Sequence, residues 1–162
     1  MGVSGCGKST VGCRLAQALG VSYIEGDSLH PAKNVARMAA GIALTDADRQ
    51  GWLQAVAQRL GEAPGGVVVS CSALKRSYRD LLRDAAPDAR FVHLHGEPAL
   101  LAARMQSRPG HYMPASLLQS QLDTLEPPGI DEAPIAVDIA RPVAAIVAEI
   151  CRQLQSPPRR MA

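Results

Sequence analysis

Short apolar runs alternate along this chain with longer segments in which hydrophobic residues recur every three or four positions. Apolar, β-branched runs are typical of buried parallel strands, and a spacing of three or four is typical of amphipathic helices. Residues 67–72, which read VVVSCS, give the clearest strand signal. Val11, Leu15 and Leu19 share one face of a helix that Gly20 ends. The alternation predicts an α/β architecture.

The same patterns predict the order of elements over a single domain, residues 1–155. Strands are expected at 21–25, 67–72, 90–95 and 135–139, and helices at 8–20, 31–40, 46–60, 76–86, 98–108, 115–125 and 142–154. Thr45 or Asp46 is expected to cap the third helix. Residues 109–114 read as a loop inside a lid at about 105–121, and residues 156–162 read as a frayed tail.

Composition narrows the class of protein. The 162 residues are 47% hydrophobic and 20% charged, which suits one soluble domain. A net charge of +2 gives no indication of a nucleic-acid or membrane-surface partner. No apolar run approaches the roughly 20 residues that span a bilayer. The four cysteines form no CxxC pair, so we expect reduced thiols and a cytoplasmic protein.

Residues 2–9 read GVSGCGKS and match the phosphate-binding pattern G-x-x-x-x-G-K-[ST] at every fixed position. Glycines allow a tight loop whose N–H groups point at phosphate oxygens, and the helix that follows directs its positive end at the same anion. Lys8 is expected to reach the β- and γ-phosphates of ATP, and Ser9 to bind Mg²⁺. Cys6 is either a redox-sensitive thiol or, as we favour, a small residue at a variable position. The predicted nucleotide-binding residues are Gly2, Ser4, Gly5, Cys6, Gly7, Lys8, Ser9 and Thr10 in this segment and Arg104 further along the chain.

One element is missing from the predicted order. In P-loop proteins a central strand precedes the phosphate loop, whereas here the loop begins at Gly2. Losing about four buried apolar side chains would cost roughly 6–12 kcal/mol. We therefore hypothesise that Met1 is an internal methionine of a longer natural chain.

The acceptor side of the site is predicted at the ends of two strands, where ligand sites form in α/β folds. Asp27 follows the first predicted strand and could accept the proton of an attacking hydroxyl or hold a metal-bound water; alternatively it caps the next helix. His30 either contacts the acceptor or shapes the turn before Pro31.

Five cationic positions further along the chain complete the candidate site. Lys75 and Arg79 follow the strongest strand, are four residues apart and suit an anionic acceptor, although they could equally form a solvated helix start. Arg104, Arg108 and His111 flank the predicted loop and suit a lid that closes over phosphates; the alternative is a charged helix C-terminus. Lys8, Asp27 and Arg108 are the predicted catalytic residues.

With these residues in place, the chain resembles the small P-loop gluconokinases. The resemblance rests on MGVSGCGKST, GDSLHP, CSALKRSYRDLL, RPGH and VDI, and it runs from Gly2 to about Leu154. It implies a nucleoside-kinase-like fold with a five-stranded parallel sheet in the order 2-3-1-4-5, flanking helices and a lid. It also implies Mg²⁺-dependent transfer of the ATP γ-phosphate to the 6-hydroxyl of D-gluconate, and commonly a homodimer. By position, His30, Lys75, Arg79 and His111 would contact gluconate or phosphate.

Three other functions remain open. A shikimate-kinase-like enzyme would keep the chemistry and change the acceptor, which GDSLHP and SALKRSYRD disfavour. A nucleotide-binding protein without catalysis is disfavoured by Lys8, Ser9 and Asp27. A nucleic-acid-dependent ATPase would need an apolar strand ending in an acid, whereas VVVSCS ends in Ser72.

Overall fold

The computed structural model describes residues 1–107 and 116–155. In these ranges four parallel strands alternate with seven helices. The strands are β1 (Ser22–Glu25), β2 (Val67–Ser70), β3 (Val92–His95) and β4 (Ile135–Asp138). The helices are α1 (Lys8–Leu19), α2 (Ala32–Ala39), α3 (Asp46–Gly61), α4 (Arg76–Ala85), α5 (Pro98–Gln106), α6 (Ser116–Thr124) and α7 (Val143–Gln155). The predicted α/β class and the order of elements are confirmed.

The strands form two parallel pairs. In the first pair Ser22 is opposite Val67, and in the second Val92 is opposite Ile135. The carboxyl ends of β1 and β2 therefore lie side by side, which places the segments that follow them, with Asp27 and Ser72, at one edge of the fold.

Met1 and Gly2 lie between the two pairs. The Met1 amine donates to the Val92 carbonyl, and the Leu94 N–H donates to the Met1 carbonyl at 3.0 Å, as in a parallel ladder. On the other side the Gly2 N–H donates to the Ser72 carbonyl at 3.2 Å. These two residues thus bridge β3 and the end of β2.

A large apolar cavity, which we call the inter-sheet cavity, is lined by Met1 and by residues of β2 and β3. Its volume is about 640 Å³, and its walls include Val11, Leu15, Val68 and Val92. In the family order 2-3-1-4-5 the first strand occupies the middle of the sheet, between the two pairs found here. The hypothesis that Met1 is an internal methionine stays a prediction.

Local sequence explains the well-predicted helix boundaries. The Thr45 hydroxyl accepts from the Asp48 N–H at 3.2 Å, and the Asp48 carboxylate accepts from the Thr45 N–H at 2.9 Å. This reciprocal capping box starts α3 at Asp46, as the sequence predicts. Gly20 ends α1 in a left-handed conformation with φ 68°.

Three predicted boundaries are two residues away from those in the structure, and one turn was not predicted. β3 begins at Val92 and not at 90. β2 ends at Ser70 and not at 72, because the chain turns away through Ala73, whose φ is 44°. α5 ends at Gln106 and not at 108. Residues 26–29, which had no predicted structure, form a 3₁₀ turn. The predicted loop at 109–114 and the tail at 156–162 lie outside the described residues.

The core is divided between two main clusters. The larger one joins α1, α5 and α7 to β3 and β4, with Leu15, Leu101 and Ile146 at its centre. The second joins α3 and α4, with Trp52, Val56 and Leu82 buried. All four cysteines are free. Within the described ranges no helix has both the length and the apolar character needed to cross a bilayer.

Candidate active site

The phosphate loop has the geometry of an anion cradle. Gly5 and Gly7 have φ of 83° and 87°, a left-handed conformation that side-chain-bearing residues rarely adopt. Gly7 is the N-cap of α1, and no side chain caps this helix start, so N–H groups at the start of α1 are left for a ligand. The Lys8 ammonium folds over the loop and donates to the Val3 carbonyl at 3.0 Å. The loop can therefore bind an anion without rearranging its backbone.

The other predicted nucleotide-binding residues differ in how far their side chains are exposed to solvent. Cys6 is 1% exposed and packs into the larger core cluster, which agrees with its interpretation as a small filling residue. Thr10 is exposed on α1, and Ser9 is partly buried beside β1. The Ser4 N–H donates to the Gln121 side chain at 2.7 Å, which ties the loop to α6.

A hydrogen-bonded cluster that the sequence did not predict surrounds Ser9. Glu25, the last residue of β1, accepts from the hydroxyls of Tyr23 and Ser70, and the Ser9 side chain bonds to the same carboxylate. Burial alone would raise the pKa of Glu25, but these hydrogen bonds outweigh it and hold the pKa below its ordinary value. An ionised carboxylate thus lies beside the hydroxyl predicted to bind Mg²⁺.

Asp27 is held in place by α3. The Trp52 indole N–H donates to the Gly26 carbonyl at 2.7 Å, and the Trp52 ring stacks on His30 with 4.2 Å between centroids. Trp52 is 1% exposed, so both ends of the 3₁₀ turn that carries Asp27 are fixed by a rigid side chain. Asp27 itself faces a small pocket.

This acceptor pocket brings several predicted residues together with others that were not predicted. Its volume is about 30 Å³. The predicted members are Ser4, Lys8, Asp27 and His30, and the unpredicted ones are Met38, Leu44, Arg49, Trp52, Ser72 and Gln121. A cation from the phosphate loop and the Asp27 carboxylate therefore line the same pocket, as phosphoryl transfer to a hydroxyl requires.

His30 is neutral in this pocket at physiological pH. Burial lowers its pKa to about 4, although nearby Asp27 acts in the opposite direction. Its Nδ1 is buried and has no hydrogen-bond partner among the described residues. A neutral imidazole with an unsatisfied nitrogen suits a hydroxyl group of a bound ligand.

Arg79 and Lys75 do not line the acceptor pocket. The Arg79 side chain is 1% exposed, and its guanidinium bonds to both Glu132 oxygens, at 2.6 and 2.8 Å, and to three backbone carbonyls. Lys75 bonds to both carboxylate oxygens of Asp46 at 2.9 and 2.7 Å. The contacts of both cations are therefore with the protein.

The lid residues are only partly described. Arg104 on α5 donates to the Ile139 carbonyl at 2.9 Å, which joins the end of α5 to the segment after β4. Arg108 and His111 lie outside the described residues.

Two of the missed residues had weak sequence signals. Glu25 lies two positions before Asp27 and is the last residue of β1. An acidic residue at the end of a strand was the only sequence signal for it. Arg49 precedes Trp52, Leu53 and Val56, which are buried, so its position on the inner face of α3 could have been inferred from helical spacing.

Comparison with known proteins decides the family. A family model described as shikimate kinase matches residues 4–155. A gluconokinase of Gluconobacter oxydans is 49% identical over 159 residues, covering 96% of this chain and 89% of the relative. This chain belongs to the gluconokinase family.

Two further relatives agree. The thermosensitive gluconokinase of Escherichia coli is 44% identical, covering 94% of this chain and 83% of that protein. The crystal structure of a gluconokinase from Sinorhizobium meliloti superposes with a TM-score of 0.87 at 55% identity, covering 95% of this chain and 88% of that one. The chain is therefore a P-loop kinase in both sequence and fold, as its phosphate loop predicts.

Proposed function

We propose that this protein transfers the γ-phosphoryl group of ATP to the 6-hydroxyl of D-gluconate and releases 6-phospho-D-gluconate and ADP. The observation that carries the proposal is that Lys8 of the phosphate loop and Asp27 line one pocket in a chain of the gluconokinase family. Gluconate is an anion, and Arg49 lines the same pocket as Asp27 and the phosphate-loop residue Lys8. A cation other than Lys8 is therefore present in the pocket, which suits an anionic acceptor.

The donor side uses the loop and its neighbours. The N–H groups at the start of α1 and the Lys8 ammonium would bind phosphate oxygens, since the positive-φ glycines already shape the loop for them. Ser9 would hold Mg²⁺, and the neighbouring Glu25 carboxylate fits a hydrated divalent cation because such ions prefer oxygen ligands. Bound Mg²⁺ neutralises phosphate charge during transfer.

On the acceptor side, Asp27 would accept the proton of the attacking hydroxyl, and His30 would accept a hydrogen bond from a second hydroxyl. Arg104, Arg108 and His111 are proposed to act from the lid. Lys75 and Arg79 are left out of the proposed acceptor contacts, because their described partners are protein groups. A homodimer in the cytoplasm is part of the same proposal, and light scattering on the purified protein tests its assembly.

ADP release tests the proposal directly. Purified protein is mixed with Mg-ATP alone, with D-gluconate and with shikimate, and ADP is measured by a coupled assay. We expect gluconate alone to stimulate release, and Asp27→Asn to remove the stimulation while ATP still protects the protein against thermal unfolding. ATP protection without acceptor-dependent release in the unmodified protein would contradict the proposal and favour a non-catalytic nucleotide-binding protein.

Shikimate is the second candidate acceptor, because the matching family model carries the description shikimate kinase. Stimulation by shikimate in place of gluconate would establish it.

A further inference from the structure

Gly12 has an unusual position for a glycine, because it lies in the second turn of α1 and is buried. A glycine inside a helix is destabilising relative to alanine, so its presence calls for a packing reason. That reason is found on β1. A Cβ atom at Gly12 would lie 2.7 Å from Cε2 of the Tyr23 ring, too close for two carbon atoms. The missing side chain therefore makes room for an aromatic ring against the backbone of α1.

This packing fixes the position of the Tyr23 hydroxyl. Tyr23 and Glu25 are two residues apart on β1, so their side chains leave the strand on the same face. The Tyr23 hydroxyl donates to Glu25 Oε2 at 2.8 Å. Burial raises the pKa of Tyr23 to about 12, so the phenol keeps its proton and remains a donor. A rigid ring thus holds one oxygen of the Glu25 carboxylate.

The other oxygen of this carboxylate is held from β2. The Ser70 hydroxyl donates to Glu25 Oε1 and itself accepts from the Gly26 N–H at 3.1 Å. An ionised carboxylate has two oxygens with about four acceptor sites, so these two hydrogen bonds leave further sites on it. The flexible glutamate side chain is therefore fixed at both oxygens and can still accept from another group.

Ser9 is that further group. It precedes Gly12 by three residues on α1, so the two positions lie on the same side of the helix and face β1 together. The Ser9 hydroxyl donates to the Glu25 carboxylate. A hydroxyl that gives its proton to a carboxylate can present its lone pairs to a cation, and partners of this kind orient metal ligands and tune their affinity.

We infer that Tyr23 is a positioning residue for the divalent cation: it holds the Glu25 carboxylate against Ser9 and thereby raises the metal affinity of the nucleotide site. This inference rests on the proposed function, which assigns Mg²⁺ to Ser9, and it adds a determinant of metal affinity outside the phosphate-loop motif. Tyr23 acts through Glu25, and Gly12 supplies the space that its ring needs.

Mn²⁺ binding tests the inference without turnover. Mn²⁺ takes the same oxygen ligands as Mg²⁺, and its free ion is measured directly by electron paramagnetic resonance. The Kd for Mn²⁺ is determined on the complex of the protein with ADP, with no acceptor present. We expect Tyr23→Phe to raise this Kd by about tenfold, the lower end of the range for outer partners of metal ligands. The Kd for ADP in the presence of EDTA should not change, since the loop N–H groups do not depend on Tyr23.

Kinetics give a second readout. In gluconate-dependent ADP release, Tyr23→Phe should raise the Mg²⁺ concentration that gives half-maximal activity. Saturating Mg²⁺ should restore kcat nearly to that of the unmodified protein, because the residues that contact the substrates are intact. A general loss of packing would lower kcat at every Mg²⁺ concentration.

A double-mutant cycle separates positioning from a purely structural role. Tyr23→Phe should have no further effect on Mn²⁺ affinity in a Glu25→Gln protein, because the carboxylate that Tyr23 holds is already absent. Gly12→Ala, which displaces the ring, should raise the Kd for Mn²⁺ as Tyr23→Phe does. Tyr78→Phe is the matched control, since it removes a phenol hydroxyl that donates to Asp46, and it should leave the Kd unchanged. Thermal melting of each variant checks that it folds.

The inference is wrong if Tyr23→Phe leaves Mn²⁺ affinity unchanged, or weakens it to the same extent in the Glu25→Gln protein. Tyr23 would then be a packing residue. Normal Mn²⁺ binding by Glu25→Gln would overturn both the inference and the metal assignment in the proposed function. Failure of the proposed acceptor gives a different result: the unmodified protein would bind Mn²⁺ with ADP, and the cycle would still decide the role of Tyr23, but gluconate would not stimulate ADP release.

Discussion

Replacing Arg79 with methionine should destabilise the fold severely and leave substrate recognition nearly intact. The Arg79 and Glu132 side chains are 1% and 2% exposed, so their ion pair is fully removed from water. The guanidinium also satisfies the carbonyls of Ala73, Leu74 and Glu126 at 3.0–3.2 Å. It thus joins the segment after β2, the start of α4 and the segment around Glu132. The substitution would leave the buried Glu132 carboxylate and the carbonyls of Ala73 and Glu126 without this donor, while the Leu74 carbonyl still accepts from the Glu126 N–H at 2.8 Å.

The expected loss is about 3–5 kcal/mol, the range found when one partner of a buried ion pair is removed. For a domain of this size, that loss lowers the melting temperature by roughly 6–20 °C, at about 2–4 °C per kcal/mol. The double variant Arg79→Met with Glu132→Leu should recover part of the loss, because it removes the unpaired charge but not the unsatisfied carbonyls.

Guanidinium chloride unfolding measures the loss, and gluconate kinetics are recorded at a temperature at which the variant is folded. Arg76→Met is the matched control: it removes an arginine three residues earlier on α4 whose side chain is 51% exposed and pairs with the exposed Asp80 and Asp131, and it should cost less than about 1 kcal/mol. The reasoning is refuted if Arg79→Met unfolds like the unmodified protein but has a selectively raised KM for gluconate. Arg79 would then be the substrate contact that the sequence suggested.

Three other perturbations have defined outcomes. Lys8→Met should lower kcat by at least about 100-fold, because it removes a hydrogen-bond donor to the transition state, and it should not lower the melting temperature. A normal kcat would contradict the role of the phosphate loop. Burial lowers the pKa of the Met1 amine from 8.0 to about 6, so the unfolded state binds more protons between these values and stability should rise with pH across this window. The contribution of the Met1 amine is at most about 3 kcal/mol for two pKa units. Nα-acetylation should remove this contribution from the rise measured between pH 5.5 and 8.5, and the lowered pKa values of His30 and His93, about 4 each, leave a smaller rise below pH 6.5 in both forms. An identical rise in both forms would contradict the assignment to Met1. Extending the chain before Met1 with four valines or isoleucines should raise the free energy of unfolding by several kcal/mol, at roughly 1.5–3 kcal/mol per buried side chain, because the segment can enter the inter-sheet cavity. An extension of four serines is the control and should not raise it. Equal effects of the two extensions would show that the cavity does not accept a strand.

The phosphate loop and the order of elements could be predicted from sequence because their signals are local. Gly5, Gly7 and Lys8 act through the backbone geometry of their own loop, and the Thr45–Asp48 capping box marks a helix start within four residues. The alternation of apolar runs and helical spacing likewise depends only on neighbours in the chain. Asp27 was found because a strand end is a position that sequence can indicate.

The assignment of cations to the site could not be made in the same way. Lys75, Arg79 and Arg49 have the same local signal, a basic residue at a helix start or on a helix face. Only the docking of α3 and α4 decides that Arg79 meets Glu132, 53 positions away, and that Arg49 enters the pocket. The hydrogen-bonded cluster at Glu25 could not be predicted for a related reason. The Glu25 carboxylate is bonded by Ser9 and Ser70, which belong to other elements of the fold.

The sequence by itself thus determined the phosphate loop, the order of strands and helices, and the family. Each of these depends on residues that lie close together along the chain. The tertiary structure decided which charges are paired within the protein, as Arg79 is with Glu132, and which line the acceptor pocket, as Lys8, Asp27 and Arg49 do. The physical reason is that a buried charge must be paired, and its partner is chosen by packing between elements that lie far apart in sequence.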